Sequence, residues 1–279
     1  MASSPVARVN SARAEDDLAG KIDNGVGPWK PLAKSEYLLN RRWKIRSLPF
    51  KFCVVNDVFV DSVHQRIASA FQKKLSVRSG RDSSYSNYDA KILSFDEQDR
   101  AALFPLLDHE FLSTLARALE LEVALEVDGA FHHHPPGSRT GWIHNDFNPG
   151  WFPRSAQTGE VLLCDHERCN YRTGKVGNQS VNPLQRMRRL TLIYYVNNKG
   201  WQEGDGGETG LYSSRAQPLQ RAEVKVPPID NSLMMFECSP HSFHSFLSTK
   251  RARNSIILWL HAGMDSSKAR WPNHEPVYW

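Results

Sequence analysis

The sequence predicts an α+β fold: N-terminal helices followed by an antiparallel barrel or jelly roll. Helical apolar spacing is concentrated before Leu121, and short β-type runs dominate from Val123 onward. Gly-, Pro- and Asn-containing turns separate those runs. The chain of 279 residues is long enough to bury one large core.

The elements follow in order. Residues 1–40 form a Ser/Ala-rich lead broken by Gly25, Gly27 and Pro28, expected to be flexible. The lead lacks an apolar stretch, and Glu15, Asp16 and Asp17 are foreign to a transit peptide, so a cytoplasmic location is expected. Phe52–Val55 and Val58–Val60 read as short β segments. Asp61 caps a helix running to about Lys74, with Val63, Ile67 and Phe71 on one face. Ser76–Asn87 is a polar loop, and Asp96–Ala101 opens a second helix. Asp108–Leu121 is a third, with Leu112, Leu115, Ala116 and Leu119 at helical spacing. Strands are expected at Val123–His134, Trp142–Asp146, Leu190–Val196, Glu208–Tyr212, Ser232–Phe236, Ser242–Leu247 and Ser255–His261. A long polar insertion, 148–187, follows the second of these segments in chain order and reads as a lid or substrate-binding loop. The main domain is placed at 41–265, with a tail at 266–279.

Composition narrows the function. Hydrophobic residues are 40% and charged residues 23%, a globular balance. No apolar run approaches the ~18 residues of a membrane span, so no membrane partner is expected. The formal charge of +5 and pI of 9.0 come without a basic patch interleaved with aromatics, so no nucleic-acid partner is expected. Four cysteines form no disulfide framework and are read as reduced thiols. Cys164-x-His166-x-x-Cys169 lacks a well-spaced fourth ligand, so zinc is not expected there.

The chemistry centres on Trp142-Ile143-His144-Asn145-Asp146. On an extended strand, residues two apart face the same side, so His144 and Asp146 offer an imidazole and a carboxylate to one point. A third ligand comes from Ser239-Pro240-His241-Ser242-Phe243-His244. His241 and His244 are three apart, so only one of them faces a metal. Two histidines and one carboxylate on one side of a metal are the ligand set of non-haem Fe(II) oxygenases. Arg139, Trp142, Asn145 and Trp151 flank this strand and either line a substrate pocket or pack the core.

Four motifs, in order, resemble the prolyl 4-hydroxylase-type Fe(II)/2-oxoglutarate-dependent dioxygenases. They are the strand Arg189–Asn197, the turn Gly206-Gly207-Glu208-Thr209, the strand Ser239–His244 and the closing strand Arg253–His261, all downstream of His144-x-Asp146. The resemblance spans about residues 49–263. It implies a double-stranded β-helix, cupin-like, with the N-terminal helices packed on one sheet. It selects His144, Asp146 and His244 as iron ligands, leaving His241 near the entrance or surface. It also selects Arg253, with Ser255, for the distal carboxylate of 2-oxoglutarate; alternation alone leaves Arg251 and Arg253 equivalent. Tyr194 is expected to point inward and reach the cosubstrate, with a satisfied core tyrosine as the alternative. His134 stands where the family often carries tyrosine.

The resemblance implies Fe(II), 2-oxoglutarate and O2, with ascorbate as reductant. The implied reaction is hydroxylation of an unactivated C–H bond with release of succinate and CO2. Asp146, where a halogenating relative has Gly or Ala, favours hydroxylation. The substrate is read as a small molecule, such as an amino acid or natural product, or a peptidyl residue such as proline, with a tilt towards a small molecule or short peptide. The alternatives are a non-catalytic jelly-roll binding module and a nucleic-acid demethylating oxygenase.

Overall fold

The computed structural model describes residues 34–77, 81–82, 89–177 and 182–278. In chain order the elements are α1 (Lys34–Tyr37), β1 (Ile45–Arg46), β2 (Phe52–Val55), α2 (Asp61–Val77), β3 (Arg81–Asp82), β4 (Lys91–Ser94), α3 (His109–Ala118), β5 (Ala124–His134), β6 (Pro149–Phe152), β7 (Leu162–Leu163), β8 (Leu184–Tyr195), β9 (Thr209–Tyr212), β10 (Val224–Val226), β11 (Ser232–Glu237), β12 (Phe243–Phe246), β13 (Arg253–Gly263) and α4 (Met264–Arg270). The large sheet runs β1-β2-β11-β8-β13-β5-β4-β3, with β6 also on β8 and β7 on β5. The small sheet is β10-β9-β12.

Strand alternation divides the large sheet into two chemically different faces. Val127, Phe131, Leu190, Leu192, Tyr194, Ile256, Leu258 and Leu260 point outward. They pack against Val63, Ile67 and Phe71 of α2 and Phe111, Leu112 and Leu115 of α3. The opposite face turns towards the small sheet, where Ile193, Tyr195, Met234 and Phe236 meet Leu211 and Val226. Polar residues share that inner face, among them Thr191, Arg253 and Ser255, and line a cavity or its wall. The result is the expected α+β arrangement of two facing sheets with helices on one of them.

Local chemistry explains the ends of the helices. Asp108 caps α3, its carboxylate accepting from Phe111 N–H at 2.8 Å. The helix expected at Asp96–Ala101 is a single 3₁₀ turn, Glu97–Asp99. Asp96 and Asp99 form its capping box, and Lys74 of α2 holds both carboxylates, at 2.8 and 2.5 Å. Pro105 then blocks any helical continuation towards α3.

Several expected boundaries move. Val58–Val60 is no strand; it contributes one bridge, Phe59 to Leu38. Trp142–Asp146 is likewise irregular, with a single bridge from His144 to His244. Residues 1–33 of the expected lead lie outside the described residues. Within 34–40, Tyr37 and Leu38 are buried, and Tyr37 packs edge-on against Phe104 and Phe111. At the other end, Arg270 forks onto Glu237, and Val277 N–H donates to Phe147 O at 2.9 Å. Core packing therefore crosses the first expected boundary, and hydrogen bonds cross the second. The 148–187 stretch is partly built into the sheet through β6 and β7, with 178–181 outside the described residues.

The Gly206–Gly207 turn carries β9 back towards Thr249 and Arg253. Gly206 has φ +78°, and a Cβ there would lie 2.1 Å from Ser248 O. Gly206→Ala meets both a left-handed backbone and a backbone clash, so a loss of more than ~1 kcal/mol is expected. Urea unfolding monitored by fluorescence measures it; wild-type stability in that variant would contradict the turn geometry.

Candidate active site

His144 and His244 are joined through their backbones. His144 N–H donates to His244 O at 3.0 Å, and His244 N–H donates to His144 O at 2.8 Å. This reciprocal pair sets the imidazole centroids 4.4 Å apart. Asn145 Nδ2 adds a bond to Pro240 O at 3.0 Å. Asp146 then reaches the same point, its Oδ2 lying 3.7 Å from His244 Nε2. One ligand atom from each of His144, Asp146 and His244 lies within 4.8 Å of the others. His241 is exposed and packs against Trp271 and His274 instead.

Both imidazoles are held in one tautomer. His144 Nδ1 faces Trp142 O at 2.9 Å, and His244 Nδ1 faces Ser242 O at 3.1 Å. A carbonyl only accepts, so Nδ1 carries the proton and Nε2 keeps the lone pair a metal needs. Burial, and then the neighbouring His244, push His144 down to about 4, favouring the neutral ligand form. Asp146 is fixed by donors from the large sheet: Thr191 Oγ1 at 2.9 Å, Trp259 Nε1 at 2.8 Å and Arg188 NH1 at 3.4 Å. Burial acts to raise its carboxyl, but His244, Arg188 and His144 outweigh it and hold Asp146 at about 2.

Arg188 is itself braced. It lies over the Trp259 ring at 3.9 Å and donates from Nε to Tyr171 Oη at 3.0 Å. Tyr171 Oη contacts His261 Nε2 at 2.6 Å, and His261 Nδ1 contacts Glu126 O at 2.7 Å. Burial would lower Arg188, yet Tyr171, Asp146 and Asp128 raise it, so it stays charged.

The cavity over the triad is lined by Ile92, His132, Trp142, Arg172, Ile257 and Trp259, with Arg253 and Thr209 among its further residues. Arg253 is 3% exposed. Its NH1 donates to Ser255 Oγ at 2.8 Å and its NH2 to Thr209 Oγ1 at 3.3 Å. Its guanidinium lies 5.0 Å from the Tyr195 ring centroid and 5.5 Å from that of Phe246. Among the described residues Arg253 Nε has no hydrogen-bond partner and no carboxylate pairs with the guanidinium. A buried guanidinium without a counter-anion suits an anionic occupant. Arg251, by contrast, is exposed and bound to Gly200 O and to Asp205 at 3.2 Å.

Tyr194 is a correction. Its hydroxyl contacts His64 Nδ1 at 2.7 Å and donates to Asn231 Oδ1 at 2.9 Å, on the helix side of the sheet. Alternation gives the cavity face to Thr191, Ile193 and Tyr195, and Tyr195 Oη meets Thr209 Oγ1 at 2.7 Å beside Arg253. The polar Thr191, opposed to the apolar run Leu190-Leu192-Tyr194, was the available signal. His134 stacks flat on Phe246, centroids 3.8 Å apart, with Nδ1 at Asp89 O. Of the flanking residues, Trp142 lines the cavity, while Arg139 pairs with Asp89 at the surface. The contacts of Asp146 with Trp259, Thr191 and Arg188 had no counterpart in the sequence reading, because they depend on cross-strand register.

Residues 167–261 match the family model described as the 2OG-Fe(II) oxygenase superfamily. The match covers the part of the chain from the inserted segment to β13. It is similar to prolyl 3-hydroxylase OGFOD1 of Xenopus laevis, 36% identical over 95 residues, covering 32% of this chain and 18% of that protein. It is similar to prolyl 3,4-dihydroxylase OGFOD1 of Ostreococcus tauri, 24% identical, covering 76% of this chain and 38% of that protein. The chain thus spans well under half the length of these curated relatives. Among solved structures, a Pseudomonas putida prolyl-4-hydroxylase aligns with TM-score 0.51 and 16% identity, covering 75% of this chain and 91% of that one. A Trichoplax adhaerens prolyl hydroxylase, solved with a hypoxia inducible factor peptide fragment, aligns with TM-score 0.50 and 16% identity, covering 80% and 87%. These likenesses show the double-stranded β-helix fold. Proteins of that superfamily use Fe(II), 2-oxoglutarate and O2, and the donor set here fits those groups: two oriented imidazoles, one ionised carboxylate, and a buried guanidinium with no carboxylate partner among the described residues.

Two outcomes follow. Trp259→Phe removes a donor that orients Asp146, so Fe(II) affinity should fall about 10- to 100-fold; titration calorimetry measures it, and an unchanged affinity would refute the orienting role. Metal-free protein should also lose stability in acid. His132 and His261 are driven down to about 3, mainly by burial, whereas unfolded histidine titrates near 6.5. The unfolded state therefore binds more protons between those values. Stability present above pH ~6.5 is lost as pH falls towards ~3, by up to about 1.4 kcal/mol per pH unit per group. Urea midpoints flat from pH 7 to 5 would exclude this.

Proposed function

We propose that the chain is an Fe(II)- and 2-oxoglutarate-dependent dioxygenase that hydroxylates an unactivated C–H bond. The observation that carries this reading is the convergence of His144, Asp146 and His244 in one cavity with the buried, carboxylate-free Arg253. When bound, iron and 2-oxoglutarate supply O2 activation, with loss of CO2, formation of succinate and transfer of one oxygen atom to the substrate.

The chain's own residues hold and orient. His144, Asp146 and His244 would hold the iron. Arg253 would hold the distal carboxylate of 2-oxoglutarate through charge-assisted hydrogen bonds, with Ser255 and Thr209 fixing the guanidinium. Trp142, Trp259, Ile92 and Ile257 form a water-poor wall. Arg172 brings the inserted segment to that wall, where the segment serves as a lid over the substrate.

A prolyl residue in a peptide is the substrate class we favour. The curated relatives and both aligned structures carry prolyl hydroxylase names, and the Trichoplax structure holds a peptide.

With Fe(II), ascorbate and 2-oxoglutarate, wild-type protein should form succinate slowly without substrate, and His144→Ala should form none. Arg253→Met should raise the KM for 2-oxoglutarate at least about tenfold. The reading fails if no succinate forms and Fe(II) binds wild type no more tightly than His144→Ala. Mass spectrometry of a proline-containing peptide library, searching for a gain of one oxygen, tests the substrate class; gain only on free amino acids would overturn the peptide assignment.

A further inference from the structure

A carboxylate, a thiol and an imidazole converge at a second place. One ligand atom each of Asp128, Cys164 and His166 lies within 4.8 Å of the others. Asp128 Oδ1 is 3.1 Å from His166 Nε2. Register produces the meeting. β7 pairs parallel to β5, Leu162 with Glu126 and Leu163 with Val127. Cys164 N–H then donates to Val127 O at 2.9 Å, which sets Cys164 beside Asp128. His166 follows in a turn held by Asp165 Oδ1, which accepts from Glu167 N–H and Arg168 N–H.

We propose that Asp128, Cys164 and His166 bind a second divalent cation, zinc by its chemistry, and that this cation pins the inserted segment to β5. A thiolate with an imidazole favours zinc over iron, and three protein ligands leave a fourth position for water. Coordination releases the Cys164 proton to solvent as the S–metal bond forms. Asp128 and Cys164 are buried, whereas the His166 side chain is 37% exposed and gives the ion a path in. Asp128 takes the place of Cys169 in the ligand set suggested by the sequence spacing. Cys169 Sγ turns to Asn170 O at 3.9 Å and is not among the converging atoms. The pinned segment carries Arg172 to the cavity and Tyr171 to Arg188, so the cation would stiffen the substrate side.

The test does not depend on catalysis. The metal-stripped 279-residue chain is titrated with Co(II), and the near-ultraviolet sulfur-to-cobalt charge-transfer band is recorded. The His144/Asp146/His244 triad contains no sulfur, so the band reports this cluster alone. The band should appear in wild type, persist in His144→Ala and Cys169→Ser, and be displaced by zinc. It should be lost in Cys164→Ser, and His166→Ala should weaken Co(II) binding roughly tenfold or more. His166 is exposed, so its variant keeps the test valid if Cys164→Ser misfolds by circular dichroism. Absence of the band in wild type, its loss in Cys169→Ser, or its full retention in His166→Ala would overturn the proposal.

Discussion

The candidate site depends on one reciprocal pair of backbone hydrogen bonds, between His144 and His244. The 142–146 segment is otherwise irregular, and β12 is only four residues long. That pair, flanked by Gly141 N–H to Phe246 O and Asn145 Nδ2 to Pro240 O, brings two imidazoles from distant parts of the chain to 4.4 Å. The carboxylate is held from the other side. Thr191, Arg188 and Trp259 of the large sheet all contact Asp146. The triad is thus clamped between two sheets and exists only when they face each other. Placing ligands on a rigid two-sheet frame, with their second nitrogens and oxygens occupied, is how a protein keeps a metal geometry defined.

Charge burial divides the cavity into two regions. Around Asp146, the guanidinium of Arg188 is balanced by the carboxylate and by Tyr171. Around Arg253 the balance is incomplete, since hydroxyls and aromatic faces are its neighbours. Desolvating a guanidinium with only neutral partners is costly, and an incoming carboxylate offsets that cost. The same asymmetry separates Arg253 from Arg251, whose exposed charge is met by Asp205.

The inserted segment and the C-terminal residues close around this frame. Tyr171 joins Arg188 to His261, while Val277 bonds Phe147 and accepts from Asn148 Nδ2. Both segments therefore reach the residues beside Asp146. A change in either would be felt at the carboxylate through contacts of about one hydrogen bond each.

Side-chain chemistry and period were readable from the sequence alone. The helical stripe of Val63, Ile67 and Phe71, the alternating strands, the His-x-Asp pair and the Arg-x-Ser pair follow from local spacing, because neighbouring positions share a face by backbone geometry. Tertiary structure decided what spacing leaves degenerate. Register placed Tyr195 rather than Tyr194 beside Arg253, gave Asp146 its Trp259 donor, and brought Asp128 to Cys164 and His166. Those contacts join strands far apart in the chain, and a one-residue slip in pairing would turn every such side chain to the other face.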